Sequence, residues 1–296
     1  MDGFLNLNKP LGITSHDCVA QVRRCLRLKR VGHGGTLDPL ATGVLPIALG
    51  RATRLLNFLP TTKRYRATIR FGVQTGTDDL GGDILVQKPV SDLTLTQVQA
   101  VLPEFIGVIQ QTPPAFSAIH IQGQRAYDLA RRGETVVLPE RSVEIFELIV
   151  ENWQDGAFPE LTLLVHCRAG TYIRSLARDV GRKLNIPATL SALTRTESGG
   201  MDLAHSTTLE QLQAEVQAQT WQPPAPDQML NHLPAVTLPP QQVRPWCQGQ
   251  KQVGSALPSP WWRVYDERGC FLGIGQQIGE RELKPHIVLV DPRLEC

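Results

Sequence analysis

Residues 32–43 read GHGGTLDPLATG, and Asp38 within them is the only acid between Asp17 and Asp78. The interval from Cys18 to Thr77 also holds eleven basic residues, a local charge of +10 in a chain whose total is only +2. A carboxylate among so many cations should have a lowered pKa and stay ionised, available as a nucleophile or a base. It follows Gly32, Gly34, Gly35 and Thr36, small residues that let backbone approach a ligand, and Pro39 stiffens the chain just beyond it. No GK[ST] ending and no second acid accompany it, so neither a phosphate-binding loop nor an aspartyl-phosphate motif is matched. A catalytic aspartate and a capped tight turn both fit these residues.

Such an acid needs a fixed cationic partner, and Arg174 in GTYIR has the right local form. There a strand turns through Gly170 into a helix that Thr171 can cap, with Ile173, Leu176, Ala177, Val180 and Leu184 as its apolar stripe. Arg174, Arg178 and Arg182 form a row at four-residue steps; all three could face water, and for Arg178 and Arg182 that is the expectation. Tyr65 lies inside KRYRATIR, where an aromatic ring among cations suits RNA, because bases stack on the ring and phosphates meet the charges. An ordinary core tyrosine on a strand fits equally, and Tyr172 faces the same choice. His33 has no second His, Cys or carboxylate at ligand spacing, which argues against a metal site. TGTDDLGGDI offers acids for calcium, but the twelfth position from Asp78 is Pro89 and from Asp79 is Val90, so the bidentate Glu is missing and a surface turn is expected.

The elements that must hold these residues can be read from periodicity. GFLNLNK alternates apolar and polar residues as a strand does. A helix should follow, capped by Thr14 or Ser15, with Asp17 in its first turn, Val19, Val22 and Leu26 inward and Arg23, Arg27 and Arg30 outward until the glycines at 32–35 end it. Tyr65, Ala67, Ile69 and Phe71 face one way along a strand and Arg64, Arg66 and Arg70 the other. Strands are expected at 143–153 and 161–170, helices near 95–107 and 171–185, which together make a mixed sheet with packed helices of the α+β class. After about residue 219 prolines crowd WQPPAPDQMLNHLPAVTLPP, marking a boundary before a small β module of three strands and two turns.

Composition bounds the class. With 42% apolar and 20% charged residues the chain is globular, and 296 residues suffice for one large and one small domain. Six cysteines without a CxxC pair suggest reduced thiols, and neither a signal peptide nor an apolar run of membrane length is visible, so a soluble cytoplasmic protein is expected. The uneven charge points to a polyanion-binding face.

Taken together, LNLNKPLGITSHD, RVGHGGTLDPLATGVLPIALGRATR, KRYRATIRFG, TDDLGGDI, QTPPAFSAIHIQGQRAYDLARRGE and CRAGTYIRSLARDVGRKL resemble the bacterial tRNA pseudouridine-55 synthases of the TruB family. The resemblance implies an isomerase that flips a T-loop uridine of tRNA from its stack and converts it to pseudouridine without metal or organic cofactor. It implies a pseudouridine-synthase catalytic domain over 1–222, with a T-arm-clasping insertion at about 110–135, and a PUA-like RNA-binding domain over 236–296. By motif position Asp38 resembles the catalytic aspartate and Arg174 its partner. Tyr65 resembles the tyrosine that stacks on the base and could assist a base step, His33 the histidine that helps flip the nucleotide, and Tyr172 and Leu193 the lining of the uridine pocket. The partner implied is the T arm of tRNA, bound by a monomer with no membrane. Asp38 could attack sugar or base, or remove a sugar proton to give a glycal. Gly35, where relatives commonly show Thr or Ala, and His120, where they often place Lys, depart from the pattern; the first could loosen the loop and the second weaken a phosphate contact. The rival from another class is a non-catalytic T-arm binder or chaperone, in which an acid facing RNA phosphates would only weaken affinity.

Overall fold

The computed structural model describes residues 1–117, 120–121, 124–125, 127, 132, 138–253, 259–279 and 281–290. The expected clasp at 110–135 therefore lies partly outside the described residues, and the side chain of His120 is not among those described.

The first strand, β1 (Gly3–Lys9), leads into helix α1 (Ser15–Leu26) through Thr14, whose hydroxyl accepts from Asp17 N–H while the Asp17 carboxylate accepts from Thr14 N–H. This reciprocal cap fixes the helix start where the sequence placed it. The helix ends earlier than expected. Arg27 takes the left-handed conformation at φ 53°, so Arg27 and Arg30 lie beyond the helix, and the glycine-rich stretch begins as a short strand, β2 (Val31–His33).

Strand β3 (Ala41–Leu49) is apolar from Val44 to Leu49 because both faces are covered: Leu45 and Ile47 enter the main core, Val44 and Ala48 a second one. Next come β4 (Thr62–Phe71), the hairpin β5 (Val73–Thr75) and β6 (Ile84–Gln87), helix α2 (Leu95–Val101), and the edge strand β7 (Gly107–Gln111). Strands β8 (Arg141–Gln154) and β9 (Glu160–Arg168) precede helix α3 (Ile173–Lys183), and β10 (Ala188–Ser198) completes the sheet in the order β1-β3-β10-β4-β9-β8-β7. Neighbours are antiparallel except β3 and β10, which run parallel. The mixed α+β sheet is as expected. On β4, Tyr65, Ala67, Ile69 and Phe71 are buried, while Arg64, Arg66 and Arg70 are on the other face. Helix α4 (Leu209–Gln217), capped by Thr208, packs Leu212 into the same core.

Thr171 does not cap α3. Tyr172 occupies that position without a side-chain bond, and the Thr171 hydroxyl donates back to the Arg168 carbonyl at 2.9 Å. The proline-rich stretch is not simply extended, for it contains a short 3-10 turn at Gln228–Leu230 whose Leu230 is fully buried. In the second sheet β11 (Ala235–Leu238) runs beside β12 (Trp261–Asp266), followed by β13 (Phe271–Ile278) and β14 (Glu282–Val288). The three expected strands are present. So is a helix that alternation did not indicate, α5 (Pro240–Cys247), which sinks Trp246 into a separate core. Ile274, Ile287 and Leu289 of this second unit share a cluster with Phe4, Val44 and Leu55 of the first. Cys18, Cys25, Cys167 and Cys247 are free thiols, but Cys270 is disulfide-bonded, against the expectation that all six are reduced.

Candidate active site

Asp38 stands in the connection between β2 and β3, and contacts from distant segments fix that connection on both flanks. Ser15 Oγ accepts from Leu37 N–H at 2.8 Å and donates to the Leu37 carbonyl at 3.1 Å. Lys9, fully buried, donates to the carbonyls of Ala41 at 2.7 Å and Pro39 at 3.4 Å. Arg195 of β10, also fully buried, donates to the carbonyls of Val44 at 2.7 Å, Gly35 at 3.1 Å and Thr36 at 3.3 Å. Side chains locked in this way hold a reacting group near one geometry. Gly35 belongs to the same design. Its φ of +108° strains any L side chain, and a Cβ there would sit 3.1 Å from Lys63 Nζ, so glycine fits the loop rather than loosening it.

Arg174 enters from the first turn of α3, which Gln111 braces: its amide accepts from Tyr172 N–H at 2.8 Å and donates to the Tyr172 carbonyl at 3.0 Å. The Arg174 side chain is only 6% exposed and donates to the carbonyls of Thr77 at 3.0 Å and Phe116 at 2.9 Å. Its Nε lies 3.0 Å from Asp38 Oδ2 and 3.6 Å from Asp79 Oδ2. The pairing of Asp38 with Arg174 joins two motifs 136 residues apart in sequence, and the guanidinium serves two carboxylates, not one.

Asp79 changes the electrostatic reading. TGTDDLGGDI is not a mere surface turn: Asp78 and Asp79 are 9% and 8% exposed, and backbone bonds from Leu80 to Leu190 and from Leu190 to Asp78 stitch it to β10. The Asp38 pKa is raised, not lowered. Burial is the largest cause, Arg174 opposes it, and the charge of Asp79 adds to it. Arg178 is likewise not solvated. It is 16% exposed and pairs with Asp78 at 2.7 Å and Asp179 at 3.0 Å, whereas Arg182 is exposed as expected.

Two cavities meet at Asp38 and Arg174. The inner one, about 240 Å³, is bounded by Lys63, Tyr65, Ser117, Tyr172 and Leu193 besides that pair. The outer cleft, about 960 Å³, runs past His16, His33, Leu40, Asp79 and Tyr127. Five of the six sequence candidates therefore share the inner pocket, and His33 stands in the outer cleft. The His33 ring meets His16 edge-on at 5.4 Å. Burial foremost, then the neighbouring charges of His16 and Arg195, lower its pKa and favour the neutral imidazole. Tyr65 is 6% exposed, and the charge of Arg195 acts on its hydroxyl. Burial, the largest cause, raises its pKa and keeps the phenol protonated, which disfavours the base role expected of it. Tyr172 is raised by burial too.

Lys9, Lys63, Asp79, Gln111 and Arg195 escaped sequence reasoning as site residues. One signal was available: on β4, Lys63 has the parity of Tyr65 and so shares its face, away from Arg64 and Arg66. Nothing local marks Arg195 in LSALTR as a buried brace.

Known proteins resemble this chain along most of its length. Residues 23–173 match the TruB family pseudouridylate synthase N-terminal domain, 174–235 the tRNA pseudouridylate synthase B C-terminal domain, and 234–289 the C-terminal region of pseudouridine synthase II TruB. The tRNA pseudouridine synthase B of Trichormus variabilis is 53% identical over 93% of this chain and 94% of its own. That of Acaryochloris marina is 53% identical over 98% of this chain and 99% of its own. Among solved structures, a Cbf5-Nop10-Gar1 complex aligns with TM-score 0.70 at 26% identity, over 98% of this chain and 84% of the other. An H/ACA RNP bound to a substrate RNA containing 2′-deoxyuridine aligns with TM-score 0.74 at 23% identity over 98% and 86%, a likeness of fold.

Proposed function

The chain belongs to the TruB family of pseudouridylate synthases, and from that premise we propose that it isomerises uridine 55 in the T loop of tRNA to pseudouridine, with Asp38 as the reacting carboxylate. In this reaction the bond from C1′ to N1 breaks, the base turns, and C1′ bonds to C5; C5 loses a proton and N1 gains one, so composition is unchanged. The base must leave its stack to be reached. An inner pocket of about 240 Å³ opening beside a far larger cleft suits one pyrimidine held apart from the RNA strand.

The ion pair between Asp38 and Arg174 at the junction of the two cavities carries the reading. Arg174 orients the carboxylate and favours its anion, while burial and Asp79 make it more basic than an aspartate in water. Tyr65 stacks on the base, Tyr172 and Leu193 close the pocket around it, and His33 in the outer cleft contacts the nucleotide as it turns out. The T arm lies in the outer cleft, and the carboxy-terminal unit over 236–296 adds an RNA-binding surface to a catalytic unit over 1–222. The protein acts as a monomer in the cytoplasm, where its tRNA is. A non-catalytic binder has no use for a half-buried carboxylate paired with a buried arginine. Incubating the purified protein with an unmodified tRNA transcript and mapping pseudouridine is the test: modification at position 55 is expected, and an unmodified transcript would overturn the assignment.

A further inference from the structure

Breaking the glycosidic bond raises a charge problem that Asp38 does not solve. As C1′ separates from N1, the electron pair stays with the base, and negative charge spreads over N1 and the two carbonyl oxygens of uracil. A pocket that accelerates this step needs a cation or oriented donors where that charge develops. Among the described residues lining the inner pocket the cations are Arg174 and Lys63. Arg174 is committed to Asp38, Asp79 and the carbonyls of Thr77 and Phe116. Arg195, just behind the wall, is committed to three carbonyls.

Lys63 is different. It lies two residues before Tyr65 on the same face of β4, its ammonium packs against Gly35 of the Asp38 loop, and it has no carboxylate or carbonyl partner among the described residues. A half-buried ammonium with no protein acceptor, facing a cavity of one base, is satisfied when a ligand oxygen arrives. Resting on the pseudouridine-synthase reading, we infer that Lys63 is a catalytic residue whose ammonium donates to a carbonyl oxygen of the flipped uracil and stabilises the base anion during glycosidic cleavage. The proton stays on nitrogen, so the step remains balanced: Lys63 supplies charge, and the proton exchange between C5 and N1 is unaffected. Burial, with help from Arg195, lowers the Lys63 pKa to about 8, close enough to neutrality for its loss of charge to be seen in the working range.

The test is single-turnover pseudouridine formation on a tRNA transcript, measured against enzyme concentration from pH 6 to 10 for wild type, Lys63→Met and Lys63→Arg. In wild type, kcat/KM should fall as pH rises through about 8, as the ammonium of the free enzyme is lost. Lys63→Met should lack that alkaline limb and react about 100-fold more slowly at saturation with its tRNA affinity nearly unchanged. Lys63→Arg should restore part of the rate and move the limb beyond the range, which a merely structural role would not do. A Lys63→Met enzyme as fast as wild type at saturation would overturn the inference. So would one weakened only in affinity, since Lys63 would then be a phosphate contact. Wild type without product would instead overturn the pseudouridine-synthase reading itself.

Discussion

Strand β4 carries cations on both of its faces, and their fates are opposite. Lys63 and Tyr65 face the inner pocket, which Arg174 lines and Arg195 backs; both are buried and bonded to backbone carbonyls, and Arg174 also pairs with Asp38. One residue away, Arg64 pairs with Glu147 and Glu197, Arg66 with Glu151 and Arg70 with Glu160 on the open face of the sheet, and Arg168 meets Glu144 beside them. In sequence Lys63, Arg64, Arg66 and Arg70 all add to the same local excess. In the fold the open-face set is neutralised by acids from β8, β9 and β10, Arg174 and Arg195 are spent on positioning, and Lys63 is left facing the pocket. Breaking a buried pair leaves a charge without solvent and costs about 3–5 kcal/mol, whereas an exposed pair contributes only about 0–1 kcal/mol. Net charge along a segment therefore says little about which cations meet RNA.

The sharpest way to test this division is at the ion pair. Asp38→Asn should abolish pseudouridine formation while tRNA binding, read by filter retention, stays close to wild type; retained catalysis would remove Asp38 from the reaction. Arg174→Ala should be nearly as severe and should also destabilise the fold, because Asp38 and Asp79 are left facing each other and the Thr77 and Phe116 carbonyls lose their donor. A loss of about 3–5 kcal/mol in urea unfolding is expected. Arg195→Met should cost a comparable amount, since the Asp38 loop would lose its brace and three carbonyls their donor.

A finer test concerns Asp79. Its charge helps raise the Asp38 pKa, so Asp79→Asn should lower it. Because the anion of Asp38 is the reacting form, activity falls as pH drops through that pKa, and the acid limb of kcat/KM should move to lower pH in the variant. An acid limb that stays in place would mean that Arg174 isolates the two carboxylates from each other.

How much of this was legible follows from the kind of information each feature needs. The Thr14 cap, the β4 alternation and the α3 stripe are local patterns, and the fold reproduces them. Asp38 and Arg174 were legible because their motifs are dense and resemble a known family. The raised pKa of Asp38 was not, because Asp79 arrives from a loop 41 residues away that reads as a polar turn, and burial depends on the whole sheet. Arg178 was misread for the same reason: its partner Asp78 comes from that loop, and a helical row of arginines looks the same whether or not an acidic loop lies over it. The end of α1 at Leu26 was missed because Arg27 adopts a left-handed cap that glycine or asparagine usually signals.

The smallest effects expected separate the two sets of arginines on RNA binding itself. Arg23, Arg24 and Arg27 at the end of α1 are exposed, and none of them has an acid partner among the described residues, in contrast to Arg64, Arg66 and Arg70. Binding that neutralises phosphates releases counterions, so the logarithm of affinity falls with the logarithm of salt by roughly one per contact. Neutralising Arg23 and Arg27 together should flatten that slope by about two if both meet phosphates. Neutralising Arg66 should leave the slope unchanged and shift stability by less than about 1 kcal/mol. If Arg66 instead lowers the slope, the acids of the open face yield to phosphate and that face belongs to the RNA path; if Arg23 and Arg27 do nothing, the cations of α1 serve solvation alone and the path to the outer cleft must approach from elsewhere.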